Sequence, residues 1–251
     1  LRRFETKLGE RLQLLNNTAD IAKSIASSSA KYVLFGVPED LGAKGNFLNP
    51  TAEMAKCIQL KSPVINEKEL DYLTQMGSRS LKINTFFIDT KEKGLFYKKI
   101  IELCQSSLDA VQNGIEILIL TDLIEEVVEG SCFIPPLISI GAVHHYLILH
   151  HLRHKVSIII ETAQCWNTHH FACLIGYGAS AVCPYLAFKT ARQWWYQNRT
   201  QKLMANGKLE KLTVEQAQDN YRIAIQAGLL KILSKMGISL VSSYHGAQIF
   251  E

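Results

Sequence analysis

The chain has 251 residues, 47% of them hydrophobic and 20% charged, so it can bury a sizeable core without disulfides or a metal. A net charge of +4 is too small and too scattered to argue for a nucleic-acid partner. No apolar run approaches the length of a membrane span, and the mixed opening Leu1-Arg2-Arg3-Phe4-Glu5 is unlike a secretory signal. These features predict a soluble protein with no membrane partner.

In chain order, Leu8, Leu12 and Leu15 share a face and predict a helix, and residues 16–20 offer the cap of a second one before Ser27-Ser28-Ser29. Tyr32–Phe35 is a compact β-like run closed by Gly36-Val37-Pro38. Residues 41–63 read as irregular chain around an amphipathic stretch at Thr51–Leu60, and Asn66-Glu67-Lys68-Glu69 opens a helix to about Met76. A strand is expected over Ile83–Ile88, ending at Asp89, and then a helix over Leu95–Asn113, stopped by Gly114. Ile115–Leu120 is apolar throughout, as a central parallel strand covered on both faces requires, and Asp122 follows it. Pro135–His151 predicts a helix with a break near Gly141, Val156–Ile160 a strand followed by Glu161, His169–Gly176 a helix, and Ala181–Cys183 a fourth strand before Pro184.

This alternation predicts an α/β fold: a mostly parallel sheet of about four strands with right-handed crossovers, flanked by helices. Residues 186–235 predict a helical C-terminal part of two or three helices, with a capping box at Thr213-Val214-Glu215-Gln216 opening the longest, and Ser239–Tyr244 reads as a last strand. The stop at Glu251 without a tail reads as a cut edge, as in a fragment of a longer chain.

Candidate sites are sparse. Cys57, Cys104, Cys132, Cys165, Cys173 and Cys183 are widely spaced with no C-x-x-C pair, which offers no grouped thiolates for an iron–sulfur cluster and fits a reducing compartment. The pairs His150/His154 and His144/His151 could each share a helix face, but H-E-x-x-H is absent, and caps or loop hydrogen bonds explain them more simply than a metal. Gly176-Tyr177-Gly178-Ala179-Ser180-Ala181 fits a relaxed G-x-G-x-x-A pattern. A dinucleotide site needs the order strand–glycines–helix, however, and here it is reversed. Asp89, Asp122 and Glu161 each follow a strand, where a parallel sheet opens its ligand crevice, although acids there more often cap the next helix. Arg153-His154-Lys155 and residues 192–202 read as solvated helix ends or loops.

Longer strings carry more. Gly141–His145, Glu161–Ala187, Leu229–Ser239 and Ser243–Glu251 closely resemble the central domain of glutamate synthase, as do Leu41–Asn46 and Leu60–Pro63. Arg192-Gln193-Trp194-Trp195 and Gln164–Thr168 resemble the ferredoxin-dependent type of cyanobacteria and plastids. The resemblance implies a scaffold and connecting domain, residues 43–251, in an enzyme that makes two glutamates from glutamine, 2-oxoglutarate and reduced ferredoxin. In that family a glutaminase domain releases ammonia and an FMN barrel consumes it, and the central domain helps enclose the route between them. The implied partners are those two domains and, through the parent enzyme, ferredoxin. The implied location is cytoplasm or plastid stroma.

The parent's FMN and 3Fe–4S cluster are expected to lie outside this chain, and no catalytic, cofactor-binding or metal residue carries over to it. One departure is Leu123, where the family usually has an arginine after the Asp that ends the central strand. Residues 1–42, through Glu5–Glu10 and Tyr32–Gly42, instead resemble the amino-terminal region of formimidoylglutamase, in the arginase/ureohydrolase family. That implies an alternative, a manganese-dependent hydrolase, although Asp-x-His-x-Asp is absent. A stand-alone α/β module binding a small molecule near Asp122 and Glu161 is the third expectation.

Overall fold

The structure, a computed structural model, describes residues 39–44, 57–75, 79–124 and 128–247. All of them belong to one unit, Gly36–Glu251. The expected helices before Ser27 and the strand expected at Tyr32–Phe35 lie outside the described residues, as does most of the stretch expected to resemble formimidoylglutamase.

Four parallel strands form the centre: β3 (Ser80–Asn84), β5 (Ile117–Thr121), β7 (Ser157–Glu161) and β8 (Ala181–Cys183), in that spatial order. Two antiparallel ribbons flank them. One pairs β1 (Glu39–Leu41) with β2 (Ile58–Leu60), the other β4 (Phe86–Ile88) with β6 (Ser131–Phe133). The helices are α1 (Glu67–Thr74), α2 (Leu95–Gln112), α3 (Pro136–Leu149), α4 (Thr168–Gly176), α5 (Tyr185–Tyr196), α6 (Asn198–Ala205) and α7 (Val214–Met236). The α/β class, the four-stranded parallel sheet and the helical C-terminal part are therefore as expected.

Every residue of β5 and β7 is buried, because the sheet is covered on both faces. Leu118, Leu120, Ile158, Ile160 and Val182 point into the larger core with residues of α2, α3, α4 and α7, such as Leu108, Val143, Phe171 and Leu229. Ile117, Ile119, Ile159, Ala181 and Cys183 point the other way, onto Leu41 of β1 and Leu70 and Leu73 of α1. The alternation of side chains along each strand thus divides one apolar run between two cores. The predicted capping box closes, Thr213 with Gln216 at α7, and a second one that the sequence reading did not name joins Asn66 and Glu69 at α1.

Several boundaries differ from the sequence reading. The strand expected at Ile83–Ile88 is two: β3 starts earlier and ends at Asn84, and after Thr85 the chain turns into the β4–β6 ribbon. The buried Thr85 makes that break, its amide and hydroxyl both donating to the Thr121 carbonyl. Ile58–Leu60 is an edge strand where irregular chain with a short amphipathic stretch was expected. Gly141 does not break α3; a Cβ there would stand 3.3 Å from the Tyr177 ring, so the glycine serves close approach. Ser239–Tyr244 is not a strand: Val241–Ser243 is a 3-10 turn that buries Val241 and Tyr244 in the larger core.

Candidate functional site

Register places Asn84, Thr121, Glu161 and Cys183 in one row across the carboxyl ends of the four strands. Asp122 follows directly. Its carboxylate accepts hydrogen bonds from the Thr162 hydroxyl at 2.5 Å and the Ala163 amide at 3.1 Å, and from the Tyr185 side chain at the start of α5. Burial pushes its carboxyl above the usual range, with these three donors pulling back and the Glu161 charge adding to the rise. Burial also raises the Tyr185 phenol, and its hydrogen bond and charge contact with Asp122 add to that. Glu161 is buried and ion-paired with Lys82 of β3 at 2.8 Å. Neither acid caps a helix. Asn167 caps α4 instead, accepting from the His170 amide. Asp122 and Glu161 tie neighbouring strands and the loop after β7 together. Asp89 is not with them: it sits beyond β4 and accepts from the Lys91 amide in an exposed turn.

A second polar cluster lies at the amino ends of the strands, where the Ser157 hydroxyl accepts from the Gly42 amide. Here Arg153 donates to His144 Nδ1 at 2.9 Å, to the Val156 carbonyl at 2.6 Å and to the Gly178 carbonyl at 2.8 Å. That bond makes Nδ1 of His144 the acceptor, so its proton sits on Nε2. Glu39 is buried, ion-paired with Lys44 at 3.0 Å, and 3.9 Å from His245 Nδ1. Burial first, then the Arg153 charge, lowers His144 to about 4 and His245 to about 3. Burial also lowers Arg153 to about 10, with the Glu39 charge opposing the shift.

Two glycines admit the His144 ring: a Cβ at Gly178 would lie 2.3 Å from its Nδ1, and one at Gly246 2.9 Å from its Nε2. Arg153 is therefore a half-buried tie and not a solvated helix end, whereas His154 and Lys155 are exposed as expected. Sequence reasoning missed this cluster because its partners are distant in the chain. The one local signal that points to it is Gly246 directly after His245.

The other candidates separate. His150 caps the end of α3, His151 has a left-handed φ of 57°, and His154 lies in a 3-10 turn, so neither histidine pair shares a helix face. Gly176 ends α4, and Gly178, with φ of 114°, turns the chain into β8, the helix-to-strand order that a dinucleotide loop does not have. Among the described residues no group of three or more His, Cys, Asp or Glu side chains could hold a metal. The six cysteines are free and dispersed, which does not fit an iron–sulfur cluster, and a manganese pair likewise finds no donor set among the described residues. His169 Nε2 lies 3.6 Å from Cys173 Sγ, one turn apart on α4, but burial raises that thiol and so disfavours the reactive thiolate. No helix among the described residues is long and apolar enough to cross a membrane.

Comparison with known proteins converges on one family. The family model for the glutamate synthase central domain matches residues 33–251. Ferredoxin-dependent glutamate synthase of Antithamnion sp. is 59% identical over 211 residues, 84% of this chain and 14% of its own length. That of Pyropia yezoensis is 52% identical and ferredoxin-dependent glutamate synthase 2 of Synechocystis sp. 51%, with the same coverage. The chain thus spans about a seventh of the length of these relatives. Among solved structures, the L230A mutant of flavocytochrome b2 with benzoylformate overlays 72% of this chain and 38% of its own at a TM-score of 0.44 and 12% identity, too loosely to assign anything. The resemblance to formimidoylglutamase expected for residues 1–42 is not shown: the family match begins at residue 33, inside that stretch, and a synthase from Cyanidium caldarium matches 93% of the chain at 42% identity. By a match over most of its length, the chain belongs to the glutamate synthase central domain family.

Proposed function

We propose that this chain is the connecting domain of a ferredoxin-dependent glutamate synthase, with residues 43–251 as its body and residues 1–42 as a leading segment. The parent reaction joins glutamine, 2-oxoglutarate, two protons and two electrons from reduced ferredoxin into two glutamates. In this reading the domain stands between a glutaminase domain and an FMN domain and encloses part of the path that ammonia takes between them. Glutaminase, FMN domain and ferredoxin are its partners, and a soluble compartment, cytoplasm or plastid stroma, is its place. We assign it no catalytic, flavin or cluster residue of its own.

The observation that carries this reading is the 59% identity to a synthase of which the chain spans only 14%. The polar clusters support it. Asp122, Glu161 and Arg153 are each engaged by partners within the fold, the condition of structural ties more than of groups held ready for a substrate.

The test is a chimera in which residues 33–251 replace the matching segment of the Antithamnion synthase, driven by reduced methyl viologen so that ferredoxin docking plays no part. It should form glutamate from glutamine and 2-oxoglutarate within about tenfold of the parent rate, a barrier change of about 1.4 kcal/mol. A chimera that folds and holds flavin, yet releases ammonia without making glutamate, would overturn the connecting role.

A further inference from the structure

The outer face of α3 breaks the usual pattern of a surface helix, which buries an apolar stripe and turns polar residues to water. The neighbouring α2 obeys that pattern, with Lys98, Glu102 and Asp109 on its exposed side. In α3, Pro136–Leu149 includes no Asp, Glu, Lys or Arg. Its inner face is sunk in the core through Ile140, Val143 and Leu147. Its outer face exposes Leu137, Ile138, Ile148 and Leu149, the last at 74%. Beside it on α2, Ile101 is exposed as well. The Tyr146 hydroxyl donates to the Gln105 side chain at 3.1 Å and holds the two helices together.

A contiguous apolar surface of this kind marks a contact, and the spacing along the helix shows what fits it. Ile138, Ala142, His145 and Leu149 are four, three and four residues apart and form one stripe. Ile138 and Leu149 lie equally far from the centre of that stripe, and so do Ala142 and His145. A second α3 crossing antiparallel about a two-fold axis therefore sets Ile138 against Leu149 of the second copy, and Ala142 against its His145. Large apolar groups meet each other, and the imidazole meets the smallest side chain of the stripe. The ring is already fixed, its Nδ1 donating to the Gly141 carbonyl at 2.9 Å, so pairing costs it little freedom.

Charge favours the same occupant. Near a two-fold axis each residue approaches its own counterpart, so a formal charge on the face would repel itself. The α3 helix carries none. Size suffices for a reversible dimer. Fourteen residues make α3 about 21 Å long, and with α2 alongside the plate is about 20 Å wide, roughly 400 Å² in projection. Side-chain relief raises this to about 500 Å² per copy, the size of the smaller specific interfaces.

We propose that two copies of this chain associate through their α3 helices, crossing antiparallel about a two-fold axis. The interface rests on this face alone and is independent of the synthase reading.

The test is sedimentation equilibrium on the 251-residue chain between about 1 and about 100 µM. A monomer–dimer equilibrium with a Kd on the order of 10 µM is expected. Ile138→Glu and Leu149→Glu should each weaken it at least about tenfold, by burying an unpaired charge at the contact. Ile223→Glu, at a comparably exposed site on α7, should stay within about twofold of the wild type. Where a charged variant does not fold, Leu149→Ser takes its place, with a weakening of about threefold or more expected. Oxidised mixtures of Ile138→Cys and Leu149→Cys chains should form the mixed disulfide in preference to either self-pair. A chain that stays monomeric throughout, equal association of the face and control variants, or a preference for self-pairs would each overturn the interface. So would a monomeric chain whose Leu149→Glu substitution disables the chimera, since that assigns the face to another domain of the parent. The unsubstituted chimera reports on the connecting role alone, so the two readings fail separately.

Discussion

At the scale of single residues, the amino-end cluster dominates. Arg153 satisfies a histidine nitrogen and two carbonyls at once, so Arg153→Met should cost about 3 kcal/mol in urea unfolding, because the acceptors it leaves behind are sheltered from water. Gly178→Ala faces both a positive φ and the His144 ring and should cost at least about 3 kcal/mol. The same histidines give stability a pH slope. The unfolded chain protonates them near the ordinary value of about 6.5. The folded protein resists protonation down to about 4 at His144 and about 3 at His245. Their contribution is therefore complete above about pH 6.5 and is lost as pH falls towards 4.

Glu39 works in the other direction, because burial raises its carboxyl and the folded state takes that proton first. The net effect should be a loss on the order of 1–2 kcal/mol between pH 6.5 and pH 4, with Lys44, Arg153 and His145 as the neighbouring cations and imidazole. Unfolding free energies measured across that range should show a flatter slope for His144→Gln than for the wild type; an unchanged slope would remove His144 from the account.

At the scale of elements, the packing of α4 on α7 rests on one missing methyl group. A Cβ on Gly228 would lie 2.4 Å from Thr168 Oγ1 and 3.0 Å from its Cβ. Gly228→Ala should therefore destabilise by about 2 kcal/mol, and adding Thr168→Ala should return more than half of that, a coupling that a double-mutant cycle measures. Additive costs would show that the two helices do not meet there. The central strands were legible in the sequence because Ile117–Leu120 of β5 and Ile158–Ile160 of β7 are unbroken apolar runs, each closed by a polar residue, Thr121 and Glu161. The capping box at Thr213 and the helix start at Asn66 were legible because their chemistry is local.

What the sequence hid is non-local. The strands β2, β4 and β6 are three residues each, too short to show a period, and their pairing depends on chain tens of residues away. Ser239–Tyr244 has strand-like composition but no strand partner, so burial of Val241 and Tyr244 decides its shape. At the site, Asp122 and Glu161 were visible from their position after strands. Arg153 was not, because nothing beside it in the chain reveals that Gly178 is its partner.

At the scale of the whole molecule, the sheet separates two cores that share no cysteine. Cys104 and Cys165 lie in the core shared with α2, α3, α4 and α7, and Cys183 lies in the one covered by α1 and β1. Burial raises all three thiols, while Cys57, Cys132 and Cys173 are only half-buried. A thiol reagent applied to the native chain should label the second group and spare the first until denaturant is added. The two cores can then be opened one at a time. Leu70→Ala and Leu229→Ala each remove a buried side chain, at a cost of about 2–5 kcal/mol, but on opposite faces of the sheet. Peptide mapping after brief labelling should find Cys183 newly reactive in the first variant and Cys165 in the second. If both cysteines respond together to either substitution, the cores open as one unit, and the sheet does not insulate one face of this domain from the other.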